Sequence, residues 1–163
     1  MDTSLKNMLW QQFGASIDML ENAIMGCPDE LWDTDAKFWH IAYHTLFFLD
    51  YYLSDDPSNF APPAPFTLSE LDPSGRLPER TYSKEEILTY LNFGRQKCRK
   101  LIAGLTTENA ALQFNSEYKD YPVLEILLYN MRHVQHHAAQ LNLLLRQAMN
   151  DAPRWVSRTR EAL

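Results

Sequence analysis

A chain of 163 residues is long enough for one domain with a substantial core, and 45% hydrophobic and 12% aromatic content with five glycines describes a packed globular protein, not a disordered one. The formal charge of −6, with no cluster of Lys and Arg, speaks against recognition of a phosphate backbone, so nucleic acid is not expected as a partner. No apolar run reaches the ~18 residues of a membrane span, and the polar start MDTSLKNMLWQQF has no signal-peptide core; residues 1–163 are therefore read as one cytoplasmic domain, with Cys27 and Cys98 reduced and structural.

The first helix is expected from a cap at Thr3 or Ser4 to about Met25, with Leu5, Met8, Leu9, Phe13, Ile17, Leu20 and Ile24 as its apolar stripe. Gly26 and Pro28 stop it, and a short helical turn can follow around Pro28–Trp32. The second helix, about Ala36 to Leu53, is apolar round most of its circumference and should be deeply buried. Residues 54–82 hold Pro57, Pro62, Pro63, Pro65, Pro73 and Pro78, six of the nine prolines, and read as a loop. Its length favours a functional flap or a surface-packed excursion, and as a flap it is expected to cover a site opening.

Ser83 and Glu86 form a capping box for the third helix, which runs through Ile87, Leu91, Phe93 and Cys98 to about Ile102, with Gly104 as a left-handed C-cap. Pro122 suits the first turn of a fourth helix ending near Met149, with Ile126, Tyr129, Asn130, His133, His137, Leu141 and Leu144 along its stripe. No strand-like alternation is found. The expected architecture is an all-α four-helix bundle, followed by a tail from Asp151 whose Trp155 packs back on the body.

All five histidines lie on the second and fourth helices, as His40 and His44 and as His133, His136 and His137. Residues four apart share a helix face, so His133 and His137 both look inward, while His136 is turned about 100° away, toward a neighbouring helix, a surface or an oligomer contact. His44 falls among Ile41, Phe47 and Phe48; His40, next to Trp39 and Lys37, is expected nearer to solvent. Two facing helices carrying such residues can aim several imidazoles at one point. Burying them unpartnered is costly, and a divalent metal satisfies all of their acceptor nitrogens at once. Three histidines leave a coordination position open, as catalytic metal sites do. Asn130, Gln140 and Asp50 have the spacing to orient the rings, and Tyr43, Phe47, Phe48 and Tyr129 are candidates for the lining. Imidazole ligands suit zinc, nickel, copper or iron, so ligand type alone does not choose among them; zinc or nickel is the expected metal, with iron or manganese as alternatives.

The segments HIAYHTLFFLDYYL and RHVQHHAAQLNLLLRQ together resemble the DinB-like superfamily, across about Met8 to Met149. That resemblance implies a four-helix bundle with a His, His, His triad on a divalent metal, here His44, His133 and His137. Where the commonest family form has His-Arg-Gly-Gln, this chain has His137-Ala138-Ala139-Gln140, which keeps the ligand. The resemblance further implies a small-molecule substrate in some members, including low-molecular-weight thiols for S-transferases, and frequent homodimers; it does not imply DNA binding. Three readings follow: a metal-dependent transferase or hydrolase, a non-catalytic metal-binding or stress-associated dimer, and an interaction module whose histidines are plain core. A ferritin-like di-iron site is excluded because no Glu-x-x-His pair exists. No Cys-x-x-Cys-His, Gly-x-Ser-x-Gly, Walker or dinucleotide fingerprint is present either.

Overall fold

The computed structural model describes all 163 residues. Four long helices, α1 (Thr3–Gly26), α3 (Phe38–Tyr51), α4 (Lys84–Ala103) and α6 (Val123–Met149), form the body. Two single-turn helices, α2 (Asp29–Trp32) and α5 (Thr107–Ala110), sit at its ends, and a two-stranded hairpin, β1 (Gln113–Ser116) with β2 (Lys119–Pro122), precedes α6. α1 and α3 each pack between α4 and α6, so the four alternate round a square. The all-α expectation holds, and a core of 33 buried residues draws on every long helix.

The apolar spacing places these faces. Phe13, Ile17, Leu20 and Ile24 of α1 are fully buried, but Leu5 (44% exposed) and Met8 (53%) emerge at the surface. α4 starts on the expected capping box: the Ser83 hydroxyl accepts from the Glu86 amide and the Glu86 carboxylate accepts from the Ser83 amide. Phe93 of α4 is also more exposed than its stripe position suggested. α3 begins at Phe38, two residues later than expected, because Lys37 adopts a left-handed φ of 52° and closes the preceding turn. α6 ends on Asn150, left-handed at φ 57°, which donates to the Arg146 carbonyl.

Three expectations are corrected. Gly104 does end α4, but in right-handed conformation (φ −81°), its amide donating to carbonyls of the last turn, so no left-handed cap is needed. No strand is expected from the sequence, yet residues 113–122 form a hairpin; its strands have four residues each and its turn, Glu117–Tyr118, lacks the Gly or Asn that marks tight hairpins. The tail packs back through other residues than Trp155, which stays 70% exposed. Thr159 lies against Gly14, where an added Cβ would come within 2.6 Å of its methyl. The Thr159 amide donates to the Gln11 carbonyl, and the Trp10 indole donates to the Glu161 carbonyl. Glycine at 14 is what permits this close approach.

The 54–82 segment is a loop, as its prolines require, and it is fastened to α3 and α4. Phe66 stacks on Tyr90 at 4.3 Å and lies against Tyr82 at 4.7 Å and Tyr43 at 5.7 Å, ring centre to ring centre. The Tyr43 hydroxyl donates to the Thr67 carbonyl. These contacts fix the second of the loop's two 3₁₀ turns, Ser69–Leu71, above the first half of α3; the first is Pro57–Asn59.

Candidate metal centre

α3 and α6 pack side by side, and their histidines meet. One ring nitrogen from each of His44, His133 and His137 lies within 4.8 Å of the others. His44 Nε2 and His133 Nε2 are 3.4 Å apart, about the separation of two nitrogens bound tetrahedrally to one ion at ~2.0–2.1 Å. His137 closes the triangle, its ring centre 4.8 Å from that of His44 and 4.5 Å from that of His133. The outer nitrogens decide what faces inward. His44 Nδ1 lies 2.6 Å from Glu70 Oε2, so its proton sits there and its Nε2 lone pair turns to the centre. His137 Nδ1 lies 2.7 Å from Gln140 Oε1, with the same consequence. Two lone pairs thus converge beside the Nε2 of His133, an arrangement a cation suits and neutral side chains satisfy badly.

The other histidines divide. His40 was expected nearer to solvent than His44; instead its Nε2 is 2.8 Å from Glu70 Oε1, and its side chain is 24% exposed against 31% for His44. The reason is the loop, which lies over the start of α3. His136 faces outward and is exposed, as its 100° offset from His137 required.

The model of the DinB superfamily matches residues 12–141, about four-fifths of the chain and every residue of this cluster. The chain belongs to the DinB superfamily. No significant match was found among curated proteins or among solved structures.

Electrostatics in this DinB-superfamily protein favours neutral imidazoles at His133 and His137. Burial, reinforced by His137 and His44, brings the His133 pKa down to about 3. Burial also lowers His137 to about 4, against the opposing hydrogen bond to Gln140. Glu70 behaves otherwise. Burial raises its pKa, but the hydrogen bonds from His40 and His44 outweigh that and hold it at about 2, so the carboxylate is ionised. Neither cysteine competes as a reactive group: burial pushes the Cys27 thiol up to about 11 and that of Cys98 well above its ordinary value.

Of the residues proposed to orient the rings, only Gln140 does so. Asn130 donates to the Leu49 carbonyl at 3.0 Å and ties α6 to α3. Asp50 accepts from Tyr90 at 3.0 Å and Lys97 at 2.5 Å on the side toward α4, away from the histidines. Its place as orienting carboxylate belongs to Glu70, which lies 26 residues beyond His44 in a loop and shares no periodicity with it. Of the lining candidates, Phe48 touches the cluster, its ring centre 4.9 Å from His44 and 5.7 Å from His133. Tyr43 and Phe47 are fully buried core on the loop side, whereas Tyr129, 5.2 Å from Tyr52, lines a cavity of about 650 Å³ together with His133. Tyr52, whose ring centre is 6.1 Å from His133, was missed.

Proposed function

We propose that His44, His133 and His137 hold one divalent metal ion, zinc or nickel among those that imidazole ligands suit, and that this protein is a metal-dependent enzyme acting on a small molecule. The observation that carries the reading is the convergence of three imidazoles whose outer nitrogens are engaged at His44 and His137, leaving lone pairs aimed at one point. Three protein ligands leave room for water or substrate. Bound there, the ion would supply Lewis acidity toward water, a thiol or a carbonyl group. Glu70 fixes the His44 tautomer and adds negative charge behind it, and Gln140 does the former for His137. Phe48 and Tyr52 give one side of the centre an aromatic lining. Thiol transfer and hydrolysis are the reaction classes this arrangement suits; a homodimer that binds metal without turnover is the second reading, favoured by the exposed Leu5, Met8, Leu128 and Leu143 on α1 and α6.

The test is metal content of untagged protein by plasma mass spectrometry, beside His44→Ala, His133→Ala and His137→Ala. Near-stoichiometric metal lost in each variant, with helicity retained, is the expected result. Absence of metal, with no uptake of zinc, nickel, iron or manganese, refutes the reading and leaves the histidines as buried polar residues.

A further inference from the structure

Beside the histidine cluster, between α3, the Ser69–Leu71 turn and the hairpin tip, lies a cavity of about 180 Å³ lined in part by Phe48, Tyr52, Glu70, Asp72, Tyr118 and Lys119. Phe48 and Tyr52 join it to the cluster, since both rings also lie against His133. Three charged side chains line this space, and two are engaged. Glu70 has one oxygen on His40 and the other on His44. Asp72 accepts from the amide and hydroxyl of Ser74 and faces Arg76 at 3.6 Å.

Lys119 is the third, and its ammonium makes no hydrogen bond or ion pair within the chain. It rests on aromatic faces instead, 4.6 Å from the Tyr129 ring centre and 5.6 Å from that of Tyr52. This contact holds the cation in place by ring electrostatics while leaving its three N–H donors available. The backbone holds it there too. Lys119 opens β2 opposite Ser116, whose hydroxyl donates to the Lys119 carbonyl at 3.4 Å. Of the three charged groups lining the cavity, with the two carboxylates already engaged, Lys119 is the one with donors free to meet an anion.

We propose that Lys119 binds the anionic group of the substrate, so that the molecule acted on at the histidine centre is a small carboxylate-bearing compound whose apolar body lies along Phe48 and Tyr52. The reaction at that centre rests on the metal reading given above; the anion site does not.

Phenylacetate and 2-phenylethanol, matched in shape and differing in charge, are the probes, titrated by ligand-observed NMR against the parent, Lys119→Met and Lys119→Arg. Metal-free and zinc-treated protein form two arms. In the metal-free arm the parent is expected to prefer the carboxylate about tenfold, the scale of one charge-assisted hydrogen bond. Lys119→Met should reduce the preference below twofold without changing alcohol affinity, and Lys119→Arg should keep it. Equal affinities in the parent, or a preference that survives in Lys119→Met, overturn the proposal. Failure to take up zinc would sink the metal reading alone, because the metal-free arm judges Lys119 independently.

Discussion

Glu70 offers the most direct test of how the loop serves the centre. Its side chain is 7% exposed, and it accepts from His44 at 2.6 Å and from His40 at 2.8 Å. A charge-assisted hydrogen bond contributes roughly 1.5–3 kcal/mol and a neutral one about 0.5–1.5. In Glu70→Gln one oxygen still accepts from a ring, but the amide N–H₂ must face the other ring, and the charge behind His44 is gone. The difference, about 1–1.5 kcal/mol, corresponds to roughly a tenfold loss of zinc affinity. Glu70→Ala releases His44 altogether and should lose up to about 100-fold, the upper range for partners of metal-bound imidazoles. His40→Ala is the control: it frees one Glu70 oxygen and leaves the His44 bond in place, so affinity should stay within about threefold of the parent. The assay is zinc competition against a chromophoric chelator at neutral pH, with circular dichroism and urea midpoints to confirm folding. Parent-like affinity in a folded Glu70→Ala would refute the claim that the loop orients His44.

Three further outcomes are expected. Because His133 and His137 titrate at about 3 and about 4 in the folded chain, against 6.5 unperturbed, the unfolded chain takes up their protons first. Metal-free stability should therefore be full above pH 6.5 and fall toward pH 4, by at most about 1.4 kcal/mol per pH unit for each ring; urea midpoints at several pH values check this, and an unchanged slope in His133→Leu would contradict it. Phe66→Ala should cost about 3 kcal/mol from the ring stack with Tyr90 and Tyr82, and weaken zinc binding as well, because the same contact seats the Glu70 turn. Asp50→Asn should destabilise by about 2–3 kcal/mol, as it disturbs the buried partner of Tyr90 and Lys97, yet leave zinc affinity unchanged; a loss of affinity would return Asp50 to the metal centre.

The sequence by itself determined the four long helices, because apolar residues at helical spacing must find a common interior whatever they pack against. It also placed His44, His133 and His137 together, since i, i+4 spacing on α6 and an apolar setting on α3 leave few alternatives once both helices are in one bundle. The capping box of α4 and the His137–Gln140 contact were legible because they are local, spanning three residues each. Tertiary structure decided the rest. Nothing in residues 54–82 marks Glu70 among several acidic residues; it reaches His40 and His44 because Phe66 and Thr67 are held by side chains of α3 and α4. The exposure of Leu5, Met8 and Trp155, apolar residues by type, depended on which surfaces the other elements had already covered. Lys119 gained its place from a hairpin with no turn signature, set down on the ring of Tyr52 just past the end of α3 and on that of Tyr129 in α6. Periodicity reports which face of a helix turns inward; contacts made across 20 residues or more of loop depend on packing that no local pattern encodes.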